Sequence, residues 1–361
     1  MTISFFNKVV IQTELLQDNF RLLDELTGPQ TDIMAMVKSD AYGHGLEVSA
    51  AAFAKGGCQK FGVAEIGEGI ALRNSGCSGD ILVFLGFDSR YVDDFFSHDL
   101  TPVLFTREDI TSIASLAQQK DKIIPIYLKF DCGMSRLGFK PHEAPELFSL
   151  IDGYSQVKLA GIINHFPCSD DRRSRSSHDI YRLFSQIVET TSGTKIPAVS
   201  ACNSGGILYF PEAHGELVRA GISLYGYCPD GEAMSFVSRV LQINEVSRGA
   251  GISYGHTYIA EYDMKLAVLP VGYSNGYPRA VSNRAEVLIN GKRAPIRGRV
   301  CMNLCMADVT AINDVNVGDE VVLLGSQGNQ NIDADEIARW SNTISYEILC
   351  SLGNNNQRVF V

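Results

Sequence analysis

Lys38 closes the apolar run IMAMVK (33–38). A primary amine at the end of a strand, beside apolar neighbours, can form an imine with an aldehyde cofactor. A surface lysine that simply ends a strand is the competing reading. The glycine-rich stretch YGHG (42–45) follows at once and adds weak support for anion binding. Further polar residues recur at similar places. Arg136 lies in the loop after the strand-like run IIPIYLKF, His165 ends KLAGIINHF, Asn203 and Ser204 follow KIPAVSA, and Gly221 and Ile222 lie at the segment around ISLYG. Recurrence at equivalent strand ends implies a convergent site, whereas single instances would be capping residues.

The elements that must position these groups read as alternating strands and helices. Strand candidates are IMAMVK (33–38), FGVA (61–64), ILVFLG (81–86), TPVLF (101–105), IIPIYLKF (123–130), KLAGIINHF (158–166), KIPAVSA (195–201) and the segment around ISLYG (222–226). Stretches 46–55, 108–120 and 178–191 suit intervening helices; in the last two, apolar residues stand three or four apart. Eight strand–helix units in about 230 residues fit a (β/α)8 barrel, whose active sites form at the C-terminal ends of the strands. A doubly wound sheet is the rival, and no GxGxxG follows the first strand.

Beyond residue 235 the character changes. Strand-like runs separated by Gly- and Asn-rich turns predict a mainly β domain over 236–361 with one short helix around 333–340. INGKRAPI (289–296) reads as a hairpin with Asn-Gly at its turn. NNNQ (354–357) reads as a loop. The barrel domain takes residues 1–235, and the opening strand 3–10 is expected to pair with the second domain.

Composition narrows the function. A formal charge of −10 and a pI near 5.2 make nucleic acid a poor partner. The opening residues lack a signal-peptide pattern and no run has the length of a membrane span, so no membrane association and a cytoplasmic location are expected. Nine scattered cysteines without CxxC spacing read as reduced thiols, with no metal site.

Several long motifs, in order, carry a resemblance. MVKSDAYGHG (36–45), KFDCGMSRLGF (129–139), NHF (164–166), ACNSGG (201–206) and RAGISLYG (219–226) are followed by GISYGHTY (251–258), LPVGYSNGYPR (269–279) and RGRVCMNLCMADVT (297–310). Over nearly its whole length the chain resembles the bacterial alanine racemases, enzymes that use pyridoxal 5'-phosphate (PLP).

The resemblance implies roles by position. Lys38 would anchor PLP and act as the base on one face of the substrate, with Tyr254 as the base on the other. Free tyrosine, with a pKa of about 10, is a poor base, so nearby positive charge, from Arg136 and His165, should help. Arg219 would face the pyridine nitrogen and keep it unprotonated, with His165 beside the ring. Tyr42, Ser204 and the backbone at Gly221 and Ile222 would hold the phosphate, a hydroxyl and free amides suiting a dianion; Asn203 and Asn354 join this cofactor set. Arg136 would grip the substrate carboxylate through a charge-assisted fork, helped by Met302 and Tyr273. Lys129 matches a lysine often carbamylated in the family, a modification that would orient Arg136; an unmodified lysine balanced by Asp131 is the alternative. The family builds its site across a homodimer, the second domain of one copy completing the barrel site of the other. D-alanine for peptidoglycan is the implied product.

Two positions depart from the family pattern. Asn303 stands where aspartate usually follows Cys-Met. Asn354 stands in place of a tyrosine that helps bind phosphate and narrows the pocket. The smaller, polar asparagine would admit a hydroxymethyl group, which points to serine as a second or even the main substrate, as in the family's serine-racemising branch; the competing reading is that NNNQ is a drifted loop and alanine remains dominant. A PLP-dependent decarboxylase of the same architecture, a racemase for bulkier basic amino acids and a non-catalytic PLP-binding protein are the rivals.

Overall fold

The computed structural model describes residues 6–86, 88–171, 175–190, 196–227 and 231–361. The chain divides into two compact units. One comprises Leu16–Ala41 and Leu46–Leu224; the other comprises the residues up to Leu15, Tyr42–Gly45 and Tyr225–Val361. The expected strand end at residues 3–5 and position 195 lie outside the described residues.

The first unit holds eight parallel strands, neighbouring one another in the order Val199–Ser200, Val157–Ile163, Ile124–Lys129, Thr101–Leu104, Asp80–Val83, Lys60–Val63, Asp32–Met36 and Leu217–Ala220. The backbone N–H of Arg219 donates to the carbonyl of Cys202 at 3.0 Å, joining the first and last of these strands. This is the TIM-barrel-like α/β fold. The helices between strands follow their apolar spacing. In Arg107–Lys120 the buried residues are Ile110, Ile113, Ala114 and Ala117, one face of a 3.6-residue period. Thr106 caps that helix by accepting from the Asp109 N–H at 3.1 Å. Each buried isoleucine there contributes about 1.5–3 kcal/mol relative to exposure.

One barrel strand differs from the sequence expectation. The eighth is Leu217–Ala220, and Ile222–Tyr225 forms a 3₁₀ turn instead. The run LVRA carries a charged residue, which hides its strand character. Every residue in it is nevertheless buried, because the arginine is wholly internal.

The second unit is mostly β. Its main sheet orders Lys292–Pro295, Glu286–Ile289, Glu320–Gln327, Met234–Arg239, Lys8–Ile11 and Gln357–Phe360, with Gln330–Ile332 added beside Glu320–Gln327. Lys8–Ile11 runs antiparallel to Met234–Arg239 and parallel to Gln357–Phe360. A three-stranded sheet joins Gln242–Val246, Met264–Leu269 and Cys305–Asp308. The hairpin 286–295 turns at Asn290-Gly291, both with positive φ (51° and 70°), as an Asn-Gly turn of the type that matches strand twist requires.

Two expectations for this unit are corrected. It contains two helices after residue 330, Ala334–Ser341 and Ser345–Asn354, not one. NNNQ is not a free loop: Asn354 ends the second helix and Gln357 opens the last strand. Ile348, Leu349 and Leu352 are buried at helical spacing along SYEILCSLGN, and that pattern was masked by the polar run that follows.

Candidate active site

The strand bearing the candidate anchor ends at Met36, and Lys38 opens a turn of opposite hand to an ordinary helix. Ser39, Asp40 and Ala41 have φ/ψ near 55°/50°, and Tyr42 has φ 55°. For L-residues this left-handed conformation costs roughly 1–2 kcal/mol per residue. Local bonds hold it. The Ala41 N–H donates to the Val37 carbonyl at 2.8 Å, the Ser39 N–H to Glu68 Oε1 at 2.6 Å, and Asp40 Oδ1 accepts from the Leu46 N–H at 2.7 Å.

The same unit gathers four cations: Lys38, Lys129, Arg136 and Arg219. Burial and the fields of Arg219, Arg136 and Lys38 hold the Lys129 ammonium down to about 8. Burial, then Arg219, Arg136, Lys129 and Lys38, push His165 down to about 2, so its imidazole is neutral. Arg219 is only 4% exposed, and burial brings it to about 10, still charged at neutral pH. The acceptors holding it are neutral. Nη1 donates to the Ser200 carbonyl (2.9 Å) and hydroxyl (2.6 Å), and Nη2 to the Asn164 carbonyl (2.6 Å) and to His165 Nδ1 (3.3 Å).

Asp131 spends its carboxylate on backbone. Oδ1 accepts from the N–H groups of Gly133, Met134 and Ser135, and Oδ2 from that of Arg136, at 2.9–3.1 Å. Burial alone would raise its pKa, yet these four bonds outweigh burial and lower it. The carboxylate thus shapes the loop that carries Arg136.

A second cluster forms at Ser204. The carboxamide of its neighbour Asn203 caps the following helix, accepting from the Gly206 N–H at 3.1 Å. Ser204 Oγ receives the Gly221 N–H (3.0 Å), the Ser223 N–H (3.2 Å) and the Ser223 hydroxyl (3.0 Å). Ile222 opens the 3₁₀ turn there.

The remaining candidates belong to the second unit. Tyr254, 69% exposed, follows Ser253. The Ser253 hydroxyl donates to the Arg299 carbonyl at 2.6 Å and lies 3.5 Å from Cys301 Sγ. The Tyr273 N–H donates to the Cys301 carbonyl at 3.1 Å, and the Ser274 N–H to the Met302 carbonyl at 3.0 Å. Tyr254, Tyr273 and Met302 therefore share one scaffold around Cys301. Tyr42 is buried, its ring against Tyr225 (4.9 Å) and Tyr346 (5.9 Å), and burial drives its hydroxyl far above the ordinary range. Asn354 is exposed.

With this geometry, comparison with known proteins is decisive. The alanine racemase N-terminal domain profile matches residues 11–229 and the C-terminal domain profile residues 233–360. The chain belongs to the alanine racemase family. The alanine racemase of Halothermothrix orenii is 37% identical, over 97% of this chain and 95% of that one. The crystal structure of alanine racemase from E. faecalis superposes with a TM-score of 0.93 at 29% identity, covering all of both chains. That of the Bartonella henselae alanine racemase, with covalently bound pyridoxal phosphate, gives 0.91 at 28% identity, covering 99% of this chain and 100% of that one.

This alanine racemase family chain carries donors that fit the family's PLP. A cluster of cations in a chain of net charge −10 suits a dianion and a carboxylate together. Ser204, whose oxygen receives the Gly221 and Ser223 N–H groups, keeps its own hydroxyl proton to donate, a group suited to a phosphate oxygen.

Sequence reasoning missed Ser200, whose hydroxyl holds Arg219, and Ser223, which completes the Ser204 cluster. It also missed Glu68, which binds the Ser39 amide. Ser200 stands at a strand end like the chosen candidates, so the same rule reaches it. Glu68 comes from a different strand–helix unit and has no local signal.

Proposed function

We propose that this enzyme interconverts L- and D-alanine, moving the Cα proton between two bases, Lys38 Nζ on one face and Tyr254 Oη on the other. The observation that carries this reading is the cation-rich end of the barrel, where Lys38, Lys129, Arg136 and Arg219 act on one another's ionisation. PLP, when bound, spreads the charge left at Cα and so makes that proton removable. Lys38 would hold it covalently. Ser204, the backbone at Gly221 and Ile222, Tyr42, Asn203 and Asn354 would hold its phosphate side, and Arg219 and His165 its ring.

The chain's own groups do the rest. The Arg136 guanidinium, its backbone fixed by Asp131, receives the substrate carboxylate, and Met302 and Tyr273 line the substrate. Lys129, with its ammonium at about 8, offers a neutral amine that can take up CO2. The resulting carbamate would give Arg136 a carboxylate-like partner. The half-site bearing Tyr254, Tyr273 and Met302 would come from a second copy; all three side chains are exposed. We also propose that serine is a second substrate, from the asparagine at 354, and that the enzyme works in the cytoplasm to supply D-alanine for peptidoglycan. The eight cysteines among the described residues are all free, and no described helix is long and apolar enough to cross a membrane.

A chiral assay with L-alanine and L-serine in deuterated water tests this reading. Lys38→Ala should lose all turnover. Tyr254→Phe should slow racemisation by about 10²–10⁴ while still exchanging the Cα proton of one enantiomer without inverting it. Racemisation by Tyr254→Phe at the wild-type rate would sink the two-base reading. Serine turnover that falls selectively in Asn354→Tyr would support the wider pocket.

A further inference from the structure

One departure from the family pattern, Asn303, and the C-terminal segment just past the other, Asn354, meet at one turn. Tyr273–Asn275 is a 3₁₀ turn between Gly272 and Gly276. It is pinned on two sides. On one side lies the loop 301–303. Beyond the two backbone bonds already described, the Ser274 hydroxyl donates to the Met302 carbonyl at 2.8 Å and accepts from Asn303 Nδ2 at 2.6 Å. Serine has one proton, so this chain runs one way, from Asn303 through Ser274 to Met302. An ionised aspartate at 303 only accepts, so the hydroxyl would have to choose between it and the Met302 carbonyl.

On the other side lies the C-terminal segment, where Asn356 is half-buried. Its Nδ2 donates to the carbonyls of Asn275 and Leu352, both at 2.8 Å, and its Oδ1 accepts from Asn275 Nδ2 at 3.3 Å. Asn275 Oδ1 in turn accepts from the Gly272 N–H at 3.1 Å. A Cβ at Gly276 would run into the Ser351 carbonyl, and one at Gly272 into the carbonyls of Cys301 and Met302. The turn therefore sits in backbone contact with both flanks.

We infer that Asn356 and Asn303 are positioning residues for substrate recognition: Asn303 ties the turn that carries Tyr273 to the loop that carries Met302, and Asn356 holds the other side of that turn to the C-terminal helix, a lock on both flanks. This rests on the proposed reading that Tyr273 and Met302 face the substrate. The tail acts on the pocket through Asn356, whose amide uses both its donor and its acceptor capacity on the turn and the adjoining helix. The exposed Asn354 makes no comparable tie in this unit's described hydrogen bonds.

The experiment compares the PLP-loaded enzyme with Asn356→Ala, Asn356→Asp, Asn303→Asp, Asn275→Ala and the Asn275→Ala/Asn356→Ala pair. Asn355→Ala, whose Nδ2 donates to the Ser351 carbonyl at the surface, is the control. Backbone hydrogen exchange is followed alongside KM and kcat for both amino acids. Asn356→Ala should speed exchange at the Tyr273 and Ser274 amides at least about tenfold. It should raise KM about fivefold with kcat within about twofold. Asn356→Asp, the isostere, should be worse than alanine, because its carboxylate would face two carbonyls. Asn303→Asp should shift the ratio of alanine to serine KM. The paired variant should add little to either single one, since both break the same lock. Exchange at Tyr273 and Ser274 unchanged in Asn356→Ala, or Asn356→Asp behaving as wild type, overturns the lock. If the wild type racemises neither amino acid, the functional reading fails while the exchange data still decide the lock.

Discussion

Arg219 Nη2 lies 3.3 Å from His165 Nδ1. A guanidinium has no acceptor, so Nδ1 must accept, and the single proton of the neutral imidazole sits on Nε2. Protonating Nδ1 would set two donors face to face beside a permanent charge.

That relationship makes the state of His165 depend on Arg219. By nitrogen NMR, His165 should remain a neutral Nε2–H tautomer down to pH 4. In Arg219→Gln its pKa should rise, while burial, the larger cause, and the charges of Arg136, Lys129 and Lys38 keep it below the ordinary histidine range; the protein should lose about 2–4 kcal/mol by denaturant unfolding, as buried carbonyls lose their donor. An imidazole that protonates near pH 6.5 in the wild type would refute the bond.

Lys129 links pH to stability. Its folded pKa, about 8, lies below the free value of 10.5. Between those values the unfolded chain binds the extra proton, so stability rises with pH there. Below about pH 8 both states are protonated, and the cost of holding the buried ammonium is fully present. Relative to Lys129→Gln, the wild type should gain at most about 3 kcal/mol from pH 7 to pH 10. No relative gain in urea titrations would mean that this nitrogen does not titrate, as a carbamate would not.

Ser204 is an acceptor for three buried donors. Ser204→Ala should leave them unsatisfied, costing roughly 2–3 kcal/mol, and should weaken PLP retention about tenfold if its hydroxyl donates to the phosphate. Dialysis against cofactor-free buffer with absorbance readout measures the second effect. Wild-type retention would remove Ser204 from the phosphate set.

Gly353 packs against backbone. A Cβ there would lie well inside contact distance of the Gly43 carbonyl, and one at Gly43 would sit 2.5 Å from the Leu349 carbonyl. Gly353→Ala should therefore destabilise by about 3 kcal/mol, a large overpacking cost because backbone cannot rotate away. Unfolding midpoints compared with those of Gly328→Ala, whose Cβ would meet only the Gly291 Cα at an ordinary 3.5 Å but whose φ is +62°, separate the clash from backbone strain.

What the sequence could disclose followed the range of the interaction. The Asn-Gly hairpin and the helix Arg107–Lys120 rest on neighbours within a few residues, so their patterns are readable. Lys38 and His165 were legible as polar residues at the ends of apolar runs, and Arg136 and Ser204 as polar residues in the loops that follow them. The eighth strand was not, because Arg219 breaks its apolar run and only the folded interior explains a buried charge. The opening strand was expected to pair with the second domain, but its particular partner Gln357–Phe360, from the other end of the chain, was not named in advance. Asn356 looked like one of three interchangeable asparagines until Asn275 appeared beside it. The left-handed turn gives no warning either, since none of Ser39, Asp40, Ala41 and Tyr42 is glycine.

That turn has a stereochemical corollary. At φ 53° and ψ 51°, Ala41 holds the mirror image of an ordinary helical residue. A D-alanine placed there by semisynthesis would rest in its own favoured basin and relieve about 1–2 kcal/mol. The backbone beside Lys38 thus prefers, at one of its own positions, the very enantiomer that the proposed reaction releases.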